Sequence, residues 1–173
     1  HAARISERMS IDELVDLIHF LPEHKSQQLM DYVEKDRIKH IHKLLKYEDN
    51  TAGGLMSLDY LSCLSEETVG QAIEKIKKLS DKFRSINYVY ILDEKGKYKG
   101  VASLRRLLIS DSDALIGKIM KKSANLPVLH PNHSIKRVAH MMTKYDLNTV
   151  AVLDKDNNFL GVVTVDDVMR VLL

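Results

Sequence analysis

The residues with the most chemistry in them are acids. Asp12 and Asp16 stand four apart in a stretch of helical periodicity, so both carboxylates project from one helix face. Asp146 ends a later helical stretch, and Asp166 and Asp167 open the last one. Carboxylates held close together repel, and a hard divalent cation with oxygen ligands cancels that repulsion. Taken by themselves, Asp12 and Asp16 have a plainer account. They are solvated and favour the start of a helix, as most surface aspartates do.

The other reactive side chains fall into weaker patterns. His40 and His42 are two apart and point to different sides of a helix, and His130 and His133 flank Pro131 in a loop. No His-Glu-x-x-His pattern is present. Cys63 is the single cysteine and sits in an apolar run, as inert buried cysteines do, which leaves no disulfide and no Cys-rich zinc site. Neither Gly-x-Ser-x-Gly nor a phosphate-cradling glycine loop occurs, so catalysis finds no support. Gly53-Gly54 reads as the C-cap of a helix over 38–47 and as a hinge.

These residues sit in 173 positions, enough for a sizeable core without metal or disulfide. Basic residues number 26 and acidic 24, a net +2 that argues against a nucleic-acid binder. No apolar run approaches the ~18 residues of a membrane span. The start, His1-Ala-Ala-Arg4, has neither Met nor an apolar leader, and the expectation is a segment of a longer protein.

Composition changes near Ala52-Gly53-Gly54. Residues 1–56 carry ten acids against eight bases, and 57–173 carry 14 against 18. The first part reads as helical. Ser10 with Glu13 makes a capping box ahead of Ile11, Leu14, Val15 and Ile18. Ser26 is expected to cap a second helix, with Leu29, Met30 and Val33 inward, and Ile38, Ile41, Leu44 and Leu45 mark a third.

The second part repeats itself. Asn87–Ser103 lies over Asn148–Thr164 at a constant offset of 61, with Asn87/Asn148, Val89/Val150, Leu92/Leu153, Asp93/Asp154, Gly100/Gly161 and Val101/Val162 identical. Each copy reads as a lead-in strand (61–64, 126–129), a helix capped by Thr68 or Ser134, a hairpin, and a short closing helix (104–110, 165–172). The fold class is mixed α and β: a short all-helical segment, then β-α-β-β-α twice. Packing two such units together buries the sheet face that one would expose.

This pattern resembles the tandem cystathionine-β-synthase (CBS) domain pair, through Gly100-Val-Ala-Ser103 and Gly161-Val-Val-Thr164-Val-Asp-Asp167. The stretch Tyr47-Glu-Asp-Asn-Thr-Ala-Gly-Gly-Leu-Met56 resembles the junction between the helical N domain and the CBS pair of MgtE-type magnesium transporters, and Leu14–Pro22 resembles the end of that N domain. The resemblance implies an N-domain remnant and junction over 1–56, one CBS domain over 57–118 and a second over 119–173. It implies a regulatory region at the cytoplasmic face of the membrane, a membrane domain in the same full-length protein, and a homodimer formed through the CBS helices. Leu107, Leu108, Ile109, Val168, Met169, Leu172 and Leu173 supply apolar surface for that dimer, or else core.

The same resemblance implies that N-domain and CBS carboxylates face each other and share Mg²⁺: Asp12 and Asp16 with Asp146, Asp166 and Asp167. It also implies a second ligand, ATP or another adenine nucleotide. Thr164 and Asp167 match the motif residues that meet phosphate or ribose and the ribose hydroxyls. Arg105 can attract phosphate and Tyr88 can offer its ring to a base. Their plainer roles are a solvated helix charge and sheet packing. Two departures point to fewer or weaker metal sites. Arg170 stands where a further acid can stand in the family, and Lys136 and Arg137 open a helix where acids are expected. The competing readings are a free-standing adenine-nucleotide-binding CBS protein and the regulatory domain of an enzyme.

Overall fold

The computed structural model describes residues 6–79 and 86–172; the chain start and Leu173 lie outside them. Helix α1 (Ile11–Phe20) begins at the expected capping box, with the Ser10 N–H donating to Glu13 Oε2 at 2.9 Å and the Glu13 N–H to Ser10 Oγ at 3.4 Å. It buries Leu14 and Val15. Helix α2 (Glu23–Met30) starts after Pro22, not at Ser26. Proline's fixed φ suits the entry to a helix and displaces the expected serine cap. The Ser26 hydroxyl lies inside α2 and donates to the carbonyls of Ile18 (3.1 Å) and Leu21 (3.3 Å), tying α2 to the end of α1. Helix α3 (Lys35–Leu44) buries Ile41 and Leu44.

The chain divides into two compact units. One holds His1–Leu58, Pro131–Thr149 and Val163–Leu173; the other holds Asp59–His130 and Val150–Val162. The second sequence repeat is therefore split: its strands fall almost wholly in one unit, its helices in the other.

In the strand-bearing unit, β1 (Leu61–Leu64), α5 (Val69–Leu79) and β2 (Tyr88–Leu92) form a crossover that leaves β1 parallel to β2. Strands β3 (Tyr98–Ser103) and β4 (Lys121–Lys122) continue the sheet antiparallel, in the order β1-β2-β3-β4. Helix α6 (Leu104–Leu108), shorter than the expected 104–110, closes the repeat, and α7 (Ile116–Ile119) follows. Alternation along β2 feeds two cores. Val89 and Ile91 join Leu61, Cys63, Val69, Ala72 and Leu107, whereas Tyr90 joins Tyr98, Leu153, Phe159 and Val162.

Strands β5 (Thr149–Leu153) and β6 (Phe159–Thr164) make a separate two-stranded sheet. Their expected lead-in strand over 126–129 is reduced to one parallel bridge, Leu129 with Val152. Pro127, which has no N–H to donate, stands where a ladder would need one. The two hairpin turns are copies of each other. Asp93 Oδ1 accepts from the N–H groups of Lys95 and Lys97, as Asp154 Oδ1 does from Asp156 and Asn158. Gly96 (φ 76°) and Asn157 (φ 61°) take the matching left-handed position.

In the helix-rich unit, α4 (Ala52–Leu55) corrects the reading of Gly53-Gly54 as a C-cap. Helix α3 already ends at Leu44, Thr51 caps α4 by accepting from the Gly54 N–H at 3.3 Å, and both glycines lie within α4. They are required by close approach. A Cβ on Gly53 would lie 2.6 Å from the Tyr47 ring, and one on Gly54 2.3 Å from the Glu48 carbonyl oxygen. This stretch is also tied by backbone hydrogen bonds to the 131–135 segment. The Ala52 N–H donates to His133 O, the Gly53 N–H to Pro131 O (both 2.8 Å), and the Ile135 N–H to Asn50 O (3.1 Å). Ser134 caps α8 (Ile135–Tyr145) as expected, and α9 (Val165–Leu172) ends the described chain.

Candidate functional site

Three of the five acids singled out as metal ligands come together in the helix-rich unit. Asp12 lies in the first turn of α1, and Asp16 lies one turn on, on the same face. Asp167 stands in the first turn of α9. All three meet the side chain of Arg170, one turn further along α9. Its Nη2 donates to Asp167 Oδ1 at 3.2 Å; its Nη1 is 3.8 Å from Asp12 Oδ2 and 3.9 Å from Asp16 Oδ2. Asp146 and Asp166 are exposed at the surface; Asp146 is the left-handed residue (φ 51°) that ends α8. Lys136 and Arg137 are exposed in the first turn of α8.

Asp167 is the most committed of the three. Its Oδ2 accepts from the Thr164 N–H (2.9 Å) and hydroxyl (2.6 Å), and its own N–H donates back to Thr164 Oγ1 at 3.3 Å. Thr164 and Asp167 thus form the cap of α9. Burial pushes the Asp167 carboxyl above its ordinary range. The bonds from Thr164 oppose this most, Asp12 adds to the rise, and Arg170 counters it. Burial likewise raises Asp16; Arg170 and His19 pull it down, while Asp12 and Asp49 push it up. His19 Nδ1 in turn lies 2.7 Å from Asp49 Oδ1.

The donor set is all carboxylate oxygen, the chemistry that suits a hard divalent cation, and Mg²⁺ keeps several waters and needs few protein ligands. Asp12 and Asp16 remain uncommitted to any cap. Three carboxylates against one guanidinium leave the cluster net negative. Among the described residues no group of three or more His, Cys, Asp or Glu is itself disposed around a common metal position. Arg170 is what the sequence reading missed as a participant. Its spacing of three from Asp167 was a signal that the two share a helix face.

The remaining candidates are more dispersed. Thr164 and Asp167 belong to the helix-rich unit, and Tyr88, half-buried on β2, and Arg105, exposed on α6, belong to the strand-bearing one. Of the proposed dimer surface, Leu107 and Val168 are core, whereas Leu108, Ile109, Met169 and Leu172 are exposed; Leu173 lies outside the described residues. Cys63 is buried, its thiol pushed up to about 12 chiefly by burial. Among the described residues no helix is long and apolar enough to cross a membrane.

Comparison with known proteins gives these residues a context. The MgtE intracellular N domain matches residues 1–50, and the CBS domain matches 52–113 and 116–173. The magnesium transporter MgtE of Thermus thermophilus is 31% identical over 94% of this chain, and that of Enterococcus faecalis 37% over 76%. The chain spans only 36% and 29% of those two proteins. Among solved structures, the cytosolic domain of the Mg²⁺ channel MgtE in complex with ATP superposes with a TM-score of 0.93 at 30% identity, over 98% of this chain and 69% of that one. The soluble part of a magnesium transporter gives 0.92 at 33%, over 98% and 66%. A helical N-terminal segment, a doubled β-α-β-β-α unit and these likenesses along nearly the whole chain lead to one conclusion: the chain belongs to the MgtE family, as an intracellular N-domain portion followed by a tandem pair of CBS domains.

Proposed function

We propose that this chain is the Mg²⁺-sensing, gating region of a magnesium transporter, lying at the cytoplasmic face of the membrane and acting on a membrane domain of the same protein. The observation that carries the reading is that Asp12 and Asp16 of the N-terminal helical segment lie beside Asp167 of the second CBS repeat. Acids from two parts of the chain thereby crowd one place. Mg²⁺, when bound there, supplies positive charge that relieves their repulsion and favours a closed state, in which the N-terminal helical segment is drawn onto the second CBS repeat; low Mg²⁺ lets it swing away. Asp12 and Asp16 hold it, with Asp167 adding charge from its capped position; Asp146 and Asp166, exposed and outside this cluster, would serve a further, more weakly held ion. An ion shifts the closed–open balance only by its differential affinity for the two states.

The domains run 1–56, 57–118 and 119–173, and the CBS helices pair two copies into a homodimer. The test is a Mg²⁺ titration of the chain followed by small-angle scattering and by protease protection of the 45–56 junction. Compaction and protection that rise with Mg²⁺ support the reading. An unchanged profile into the tens of millimolar, beyond the weakest sites of the extracellular type, overturns it.

ATP or another adenine nucleotide is a second ligand on this reading, supported by the ATP named with the similar MgtE cytosolic domain and by the Thr164/Asp167 pair. To accept ribose hydroxyls, Asp167 has to share an oxygen now taken by Thr164 or Arg170. Calorimetry with ATP on the parent chain and on Asp167→Ala decides it: heat in the first and its loss in the second are expected, and no heat in the first ends the idea.

A further inference from the structure

Arg170 already does part of what the sensing reading asks of a metal. Its guanidinium lies within 3.9 Å of all three clustered carboxylates, and it bridges α9 to α1 across nearly the full length of the sequence. We infer that Arg170 is a built-in counter-cation that holds α1 against α9 without any divalent ion. It thereby sets a low Mg²⁺ requirement for closure in this chain. The inference rests on the sensing reading for its second half only.

The physical case is one of charge and tethering. A guanidinium presents a planar fork of donors suited to carboxylates and does not lose its proton in the accessible pH range. Attached to α9, it is present at a fixed local concentration, whereas a free ion must be bound from solution at an entropic cost. Its side chain is 44% exposed and Asp12 is only 15% exposed, so the contact is partly shielded and weakens less with salt than an open surface pair. Asp167 anchors the base of the fork and is itself fixed by Thr164.

Hydrogen exchange of the 173-residue chain, read separately for α1 and for β2, tests this in Arg170→Gln and Arg170→Lys against the parent. In Mg²⁺-free buffer, α1 amides in Arg170→Gln should exchange about five- to tenfold faster than in the parent, since the two partly exposed pairs that join α9 to α1 are lost. β2 amides should be unchanged, which excludes general unfolding. Arg170→Lys, which keeps charge without the fork, should fall between the two. Adding MgCl₂ should restore α1 protection in Arg170→Gln, and should raise it further in the parent at lower Mg²⁺ concentration, since Arg170 supplies only part of the closure there. Equal α1 exchange in the parent and Arg170→Gln without Mg²⁺ overturns the inference, whatever Mg²⁺ then does. Faster exchange that Mg²⁺ fails to restore upholds the tether and overturns the sensing reading instead, so the two failures read differently.

Discussion

Tyr98 and Phe159, which occupy the same position in the two repeats, meet with ring centroids 5.5 Å apart. Their backbones reciprocate: the Tyr98 N–H donates to Asn157 O and the Phe159 N–H to Gly96 O. Gly96 and Asn157 are themselves related by the offset of 61, so each bond is the image of the other under a local two-fold. The doubled sequence has closed on itself at this point. Tyr60 and Tyr90 complete the cluster, 4.6 and 5.0 Å from the Phe159 ring.

Phe159 is therefore a central residue among those by which the first repeat holds the β5–β6 hairpin. Phe159→Ala should cost about 3–5 kcal/mol, the usual range for truncating a buried aromatic. Urea unfolding followed by far-UV circular dichroism would register it as a lower midpoint. Phe159→Leu, which keeps most of the volume, should recover more than half. A loss below about 1 kcal/mol for the alanine variant would show that the hairpin stands without its neighbour.

The Glu67 carboxylate gathers Lys75 (Nζ 2.5 Å), the Leu64 N–H (3.0 Å) and the Cys63 thiol. Burial pushes its pKa up, but the bonds from Lys75, Cys63 and Leu64 outweigh burial and leave it below the ordinary glutamate range. A depressed folded-state value contributes stability that is fully present above the unfolded value and lost as pH falls through the folded one. Glu67→Gln should thus lower the melting temperature at pH 7. It should also narrow the gap between pH 7 and pH 3 relative to the parent. An unaltered pH profile in the variant would contradict this.

Cys63 should be inert in the folded chain. Its thiol, pushed up to about 12, holds negligible thiolate near neutrality, and thiolate is the reacting form. Iodoacetamide at pH 8, followed by mass spectrometry, should leave the native protein unmodified over hours and label it fully in denaturant. Rapid labelling without denaturant would mean that β1 opens readily.

At the junction, a methyl group on Gly54 would meet the Glu48 carbonyl oxygen and the Asp49 Cα, both backbone atoms that cannot turn aside. Gly54→Ala should destabilise by about 1–3 kcal/mol through overpacking. It should also speed hydrogen exchange at Ala52 and Gly53, whose N–H groups lean on the 131–133 loop. Gly96→Ala is the control: nothing lies near its Cβ, so its cost is confined to the left-handed φ.

Much of this was legible from residue patterns. Ser10, Thr68 and Ser134 cap the helices they were expected to cap, and the doubled Asp93/Asp154 turns and the β-α-β-β-α grammar match the sheet and helices found. Failures came where one local preference met a stronger one. Pro22 overrode Ser26, Pro127 broke a strand, and Gly53-Gly54 answered to crowding by Tyr47 and Glu48, which no local pattern encodes. Of the site, the acids on each helix could be read, because i,i+3 and i,i+4 spacing is local. That Arg170 reaches Asp12 and Asp16 depends on how distant segments pack, and periodicity within a helix carries no such information.

The bonds from Ala52, Gly53 and Ile135 at the junction also impose an order on biosynthesis. A ribosome delivers the N-terminal helices first, yet the carbonyls of Pro131 and His133 that receive Ala52 and Gly53 emerge only after the whole first repeat has been made. The opening segment must wait, partly unpartnered, while the four-stranded sheet assembles behind it, and its final docking closes a long loop late in synthesis.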